Sequence, residues 1–166
     1  MTVHVLDAES VAMLPSRSLP THRNTVLIAV TDAVVRGEVV FPPEVAKEAR
    51  RLADPPDEPW VHALASACRA TSVPYTFVLQ ALAGCEDLAD LEAEYSSFEP
   101  SASYVAGMAL HLRTSGIVVV TEELDPLPDR AGLGEACSKL SLPMCTLPDF
   151  VDTLPGCTSA MVSARA

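Results

Sequence analysis

Two apolar runs in this chain end in carboxylates. Val3 to Leu6 leads into Asp7-Ala8-Glu9, and Ile117 to Val120 leads into Thr121-Glu122-Glu123. A third apolar run, Val39 to Phe41, is followed by Glu44 and Glu48. If these runs are strands of one parallel sheet, their carboxyl ends share an edge and the acids can converge there. Asp7, Glu48 or its helical neighbour Glu44, and Glu122 with Glu123 would then form a cluster. Grouped acids raise one another's pKa unless a cation neutralises them. Mg2+ or Mn2+ would do so, since both are hard cations that favour oxygen ligands. A metal held that way can activate water and stabilise a phosphodiester transition state. The same positions equally suit a plainer role, in which strand-end acids cap the helices that follow.

The elements that would position these acids alternate between strand and helix. The reading gives strands over Thr2–Leu6, Glu38–Phe41, Ile117–Thr121 and Met144–Leu147. Four β-branched aliphatic residues at 117–120 suit a strand buried on both faces. Helices are expected from Glu9 or Ser10 to just before Pro15, and over Val26–Val35 with Asn24 as N-cap and Gly37 ending it. Further helices are expected over Glu44–Ala53 after Pro42-Pro43, and over Trp60–Ala70, Asp87–Tyr95, Ser103–Arg113, Gly134–Leu140 and Pro148–Leu154. Pro74–Ala83 reads both ways, with β-prone residues first and helix formers after. Ala106, Gly107 and Ala109 suit close helix packing. The alternation implies an α/β fold with a mostly parallel sheet. One domain over 1–155 and a flexible tail over 156–166 are expected.

Composition narrows the partners. The chain has 166 residues, 49% of them hydrophobic, and a net charge of -11. Six acids between 86 and 99 (Glu86, Asp87, Asp90, Glu92, Glu94 and Glu99) stand without a Lys or Arg among them. Such a balance repels nucleic acid at long range, so RNA would need a local basic strip or a metal bridge. Arg17, Arg23, Arg36, Arg50 and Arg51 concentrate basic charge in the first third. The five cysteines have no metal-site spacing and read as reduced, packed thiols. No membrane span or secretory leader is legible, so a cytoplasmic location is expected. No Gly-x-Ser-x-Gly, phosphate loop or glycine-rich nucleotide motif occurs. The four histidines lie in unrelated patterns, and His4 reads as a packed strand residue.

Asp7-Ala8-Glu9 and Val120-Thr121 echo two elements of haloacid-dehalogenase-like phosphatases, but the second Asp of that family's first motif is absent. Taken in order, the segments more closely resemble a PIN domain, a family of metal-dependent nucleases that includes many toxins. Val3 to Asp7 resembles its first strand and aspartate. Gly37 to Glu48 resembles its second strand, proline entry and acid-bearing helix. Ser103 to Leu110, then Val118 to Glu123, resembles the next helix and strand, and Ala136 to Phe150 resembles its close. The resemblance implies a three-layer α/β/α sandwich with four to five strands. It further implies a Mg2+- or Mn2+-dependent endoribonuclease, with a toxin paired with an antitoxin as one form of it, and with Asp7, Glu48 and Glu123 catalytic. Glu9 and Glu122 would join them as metal ligands. A homodimer is a further expectation. One departure matters: Pro100-Ser101-Ala102-Ser103 carries no acid where the family has an aspartate, and Glu9 is the candidate to replace it. The alternative is a catalytically degenerate PIN-like module that acts through a protein partner.

Overall fold

A computed structural model describes residues 1–68, 72–89, 101–128 and 130–162. Four strands, β1 (Val3–Leu6), β2 (Val39–Val40), β3 (Ile117–Val120) and β4 (Met144–Cys145), form one sheet in the order β2-β1-β3-β4. Every pairing within it is parallel. Helices flank the sheet in a three-layer α/β/α arrangement: α1 (Ala8–Arg17), α2 (Arg23–Val35), α3 (Pro43–Leu52), α4 (Glu58–Ala67), α5 (Tyr75–Gly84), α6 (Ala102–His111), α7 (Leu133–Lys139) and α8 (Leu147–Asp152).

The central strands explain why the acids come together. Val5, Leu6, Val119 and Val120 are fully buried. Each such side chain contributes about 1.5–3 kcal/mol relative to exposure. A slip of one residue would turn these side chains to the opposite faces, so burial fixes the register. Val3 pairs with Ile117 and Leu6 with Val120, which carries Asp7 level with Thr121 at the carboxyl edge.

Helix ends follow local chemistry in part. Gly37 (φ 76°) closes α2 with Glu38 N–H donating to Ala33 and Gly37 N–H to Val34, the paired bonds of a left-handed glycine cap. The start of α2 differs from expectation. His22 occupies the cap position without a side-chain capping bond, and Asn24 lies inside the first turn. Helix α1 runs through Pro15 instead of stopping before it. Val11, Ala12, Leu14 and Pro15 are all buried, so packing outweighs the lost amide donor. The ambiguous segment 74–83 is helical as α5. Gly107 of α6 lies against it, since a Cβ there would meet the Val78 backbone at 3.0 Å.

Glu86–Leu88 forms a short 3-10 turn that ends at Ala89, and residues 90–95 of the expected acidic helix fall outside the described residues. Residues 156–162 pack further than a loose tail would. Cys157 and Ala160 are buried, and Ser18 bridges Met161. All five cysteines are free, three of them buried. Among the described residues, no helix is long and apolar enough to cross a membrane.

Candidate acidic site at the carboxyl edge of the sheet

A cavity of about 300 Å³ opens at the carboxyl edge, and Asp7, Glu9, Glu48 and Glu123 all line it. They come from the end of β1, the first turn of α1, the middle of α3 and the loop after β3. Four of the five acids singled out from the sequence as metal ligands are therefore brought together. Glu122 is not. Adjacent residues beyond a strand point to opposite sides, and Glu122 turns away to pair with Arg17 at 2.7 Å. Glu44 sits one turn before Glu48 and does not line the cavity.

Each inward acid has protein partners. Asp7 is buried; its Oδ1 accepts from the Ser10 amide at 2.8 Å and its Oδ2 from the Thr121 hydroxyl at 2.7 Å. Glu48 Oε2 accepts from both the amide (2.8 Å) and the hydroxyl (2.5 Å) of Ser101. Glu123 takes Arg130 in a two-pronged pair, with Nη1 at 2.8 Å and Nη2 at 2.5 Å. Its Oε2 also accepts from the Leu133 amide at 3.1 Å. Glu9 is exposed at the rim of the cavity.

A common logic links these bonds. Ser10 lies in the first turn of α1, Ser101 stands at the N-cap position of α6, and Leu133 opens α7. Even Glu122 accepts from Leu147, the first residue of α8, at 3.3 Å. Helix N-termini present unsatisfied N–H groups and partial positive charge. In a parallel α/β sheet they gather at the carboxyl edge, and the acids satisfy them.

Electrostatics follow from burial and from Arg130, the cation that lines the cavity. Burial pushes Asp7 up to about 7; its bonds to Ser10 and Thr121 oppose this, and Glu123 adds to it. Partial loss of water raises Glu9, and the charges of Glu123 and Glu122 raise it further. Burial alone would lower Arg130, but its hydrogen bonds to Glu123 and the charges of Glu123, Glu48 and Asp7 raise it.

A tight loop holds the pair in place. A Cβ on Gly132 would stand 2.5 Å from the Asp125 carbonyl oxygen, and one on Gly134 would stand 2.9 Å from that of Glu123. Only glycine lets the chain pass this close, so the loop returns Arg130 onto Glu123.

The donor set does not fit a divalent ion as it stands. Among the described residues, no group of three or more His, Cys, Asp or Glu is set to hold a metal. Such an ion needs oxygens at about 2.0–2.6 Å. Here both oxygens of Asp7, both of Glu123 and Oε2 of Glu48 are already engaged by N–H and O–H donors.

Sequence reasoning missed Arg130 and the linking role of Thr121. Arg130 had one signal, as the only arginine between Arg113 and Arg165, in an acidic loop. Thr121 also accepts the Glu123 amide at 3.0 Å, so one hydroxyl joins both strand ends. Compared with protein-family models, curated proteins and solved structures, the chain matches none.

Proposed function

We propose that this chain is a PIN-like module with a degenerate acidic site, acting through a protein partner rather than by cutting RNA. The partnering of the acids carries this reading. Asp7, Glu48, Glu122 and Glu123 each accept an amide at the start of a helix, so their oxygens serve to hold the fold. Ser101 supports it too, because its hydroxyl donates to Glu48 where an aspartate would repel it. The overall charge of -11 likewise disfavours RNA. The outer side of α2 offers a surface for a partner or a second copy, with Ile28 and Val35 both more than 60% exposed.

One observation favours the other reading, a Mg2+- or Mn2+-dependent ribonuclease of toxin type. Four carboxylates from three chain segments meet at one cavity. Titration of the wild-type chain with Mn2+, alongside an RNA cleavage assay, separates the two. The module reading expects neither saturable binding at millimolar Mn2+ nor cleavage. Mn2+-dependent cleavage that disappears in Asp7→Asn would overturn it.

A further inference from the structure

We propose that the open edge of β2 takes up a short extended segment of a partner protein, apolar along its run and flanked by an acid, which joins the sheet as a further strand between α2 and α6. This rests on the chain acting through a protein partner, and adds where and by what chemistry that partner docks. Strand β2 is an outer strand of the sheet. His4 pairs with Val39, and the His4 amide donates to the Glu38 carbonyl. In a parallel ladder that pattern turns the amide and carbonyl of Val39 away from β1. Neither bonds to another backbone group outside the ladder among the described residues, although Val39 is only 1% exposed. Buried backbone groups seldom go without a partner.

The space beside that edge has the shape of a slot. The crossovers from β1 to β2 and from β2 to β3 run in opposite directions, so their right-handedness puts α2 and α6 on opposite faces of the sheet. A cavity of about 430 Å³ lies between them, lined by Val34 and Val35 of α2, Met108 and Leu112 from the end of α6, and Val39 and Val40 of the edge. A strand in that slot alternates its side chains between the two walls. Both walls are apolar, so the occupant is apolar at successive positions, as in any strand buried on both faces. With β2 two residues long, the segment is short. Its charge follows from the rim. Arg36 and His111 line the cavity and no carboxylate does, in a chain of net charge -11. Arg36 commits Nε and Nη2 to Glu38, which leaves Nη1 for an acid beside the apolar run. Main-chain bonds then supply affinity and the walls supply selectivity.

The test uses the full chain and a labelled peptide, Gly-Ser-Val-Ile-Val-Asp-Gly, with binding read by fluorescence anisotropy. Two further peptides carry N-methyl groups, one on both valines and one on the isoleucine, because alternate amides of a strand face opposite ways. The parent peptide should bind saturably. One methylated form should lose about tenfold or more in affinity and the other should keep most of it, since only one set of amides meets β2. Exchange of the Val39 amide should slow in the complex. Replacing the peptide's Asp by Asn should weaken binding, and Leu112→Trp, checked for folding by circular dichroism, should block the slot. No saturable binding at millimolar peptide overturns the proposal. So does binding that both methylations leave alike, which would mean apolar filling without strand pairing. Mn2+-dependent RNA cleavage by wild type would sink the module reading and leave the peptide result standing. Failure of the peptide in a chain that neither binds Mn2+ nor cuts RNA would sink this inference alone.

Discussion

Beyond β3 the chain sends Glu122 to one side and Glu123 to the other, and each meets an arginine. On the cavity side Glu123 and Arg130 are about one-tenth exposed, whereas Glu122 and Arg17 on the far side are each 19% exposed. The partners also differ in reach. Arg130 comes from seven residues along, in the same loop, and Arg17 comes from the far end of α1. Arg17 also donates to the Val162 carbonyl and accepts the Val162 amide through its own, so this side fastens the segment that reaches Val162. One strand end thus carries two ion pairs of the same chemistry. The inner one neutralises a crowded acidic cavity, and the outer one acts as a clasp.

If that division holds, pH should act on the inner side alone. Asp7 keeps its proton to about pH 7 in the fold, against an ordinary value near 3.8. Its contribution to stability is complete below the unfolded value and fades as pH rises towards 7. The difference is on the order of 4 kcal/mol. Asp7→Asn keeps the shape without the charge. It should therefore gain stability over wild type between pH 4 and 8 in denaturant titrations. Parallel wild-type and variant curves would show that Asp7 is not a strained charge.

The next largest effect should come from the inner pair. Arg130→Ala leaves Glu123 shielded and uncompensated, which costs about 3 kcal/mol for a buried pair broken on one side. Thr121→Val comes third, at about 2 kcal/mol, because it removes the donor to buried Asp7 and the acceptor of the Glu123 amide together. Chemical denaturation at pH 7.5 measures both. If Thr121→Val costs as little as an exposed substitution, the hydroxyl does not join the two strand ends as the bonds suggest.

How much of this could be read beforehand divides along the same line. The run at 117–120, and the run at 3–6 interrupted only by His4, announced buried strands because burial on both faces favours continuous apolar residues. The parallel edge then brought Asp7, Glu48 and Glu123 together as expected. Glu122 was misassigned because the sequence shows adjacency but not the alternation of side beyond the strand. Arg130 stayed invisible because its partner depends on a loop closed by Gly132 and Gly134, where backbone contact and not periodicity sets the path. Pro15 misled for a related reason, since local propensity says stop and a buried face says continue.

The outer pair supplies the smallest and most discriminating change. Arg17→Ala removes one partner of a pair that water still reaches, so the loss should be about 1 kcal/mol. What distinguishes it is where the loss appears. Arg17 meets Glu122 and the Val162 carbonyl, and Glu122 in turn accepts the first amide of α8. Loosening should therefore reach 147–162 before the cavity. Amide exchange in Arg17→Ala should speed up at Ala160 and Val162, while Ser10 and Leu133 on the inner side keep their protection. Arg130→Ala should give the reverse pattern. If both variants loosen the same amides, the two arginines belong to one cooperative network, and the separation of cavity from clasp fails.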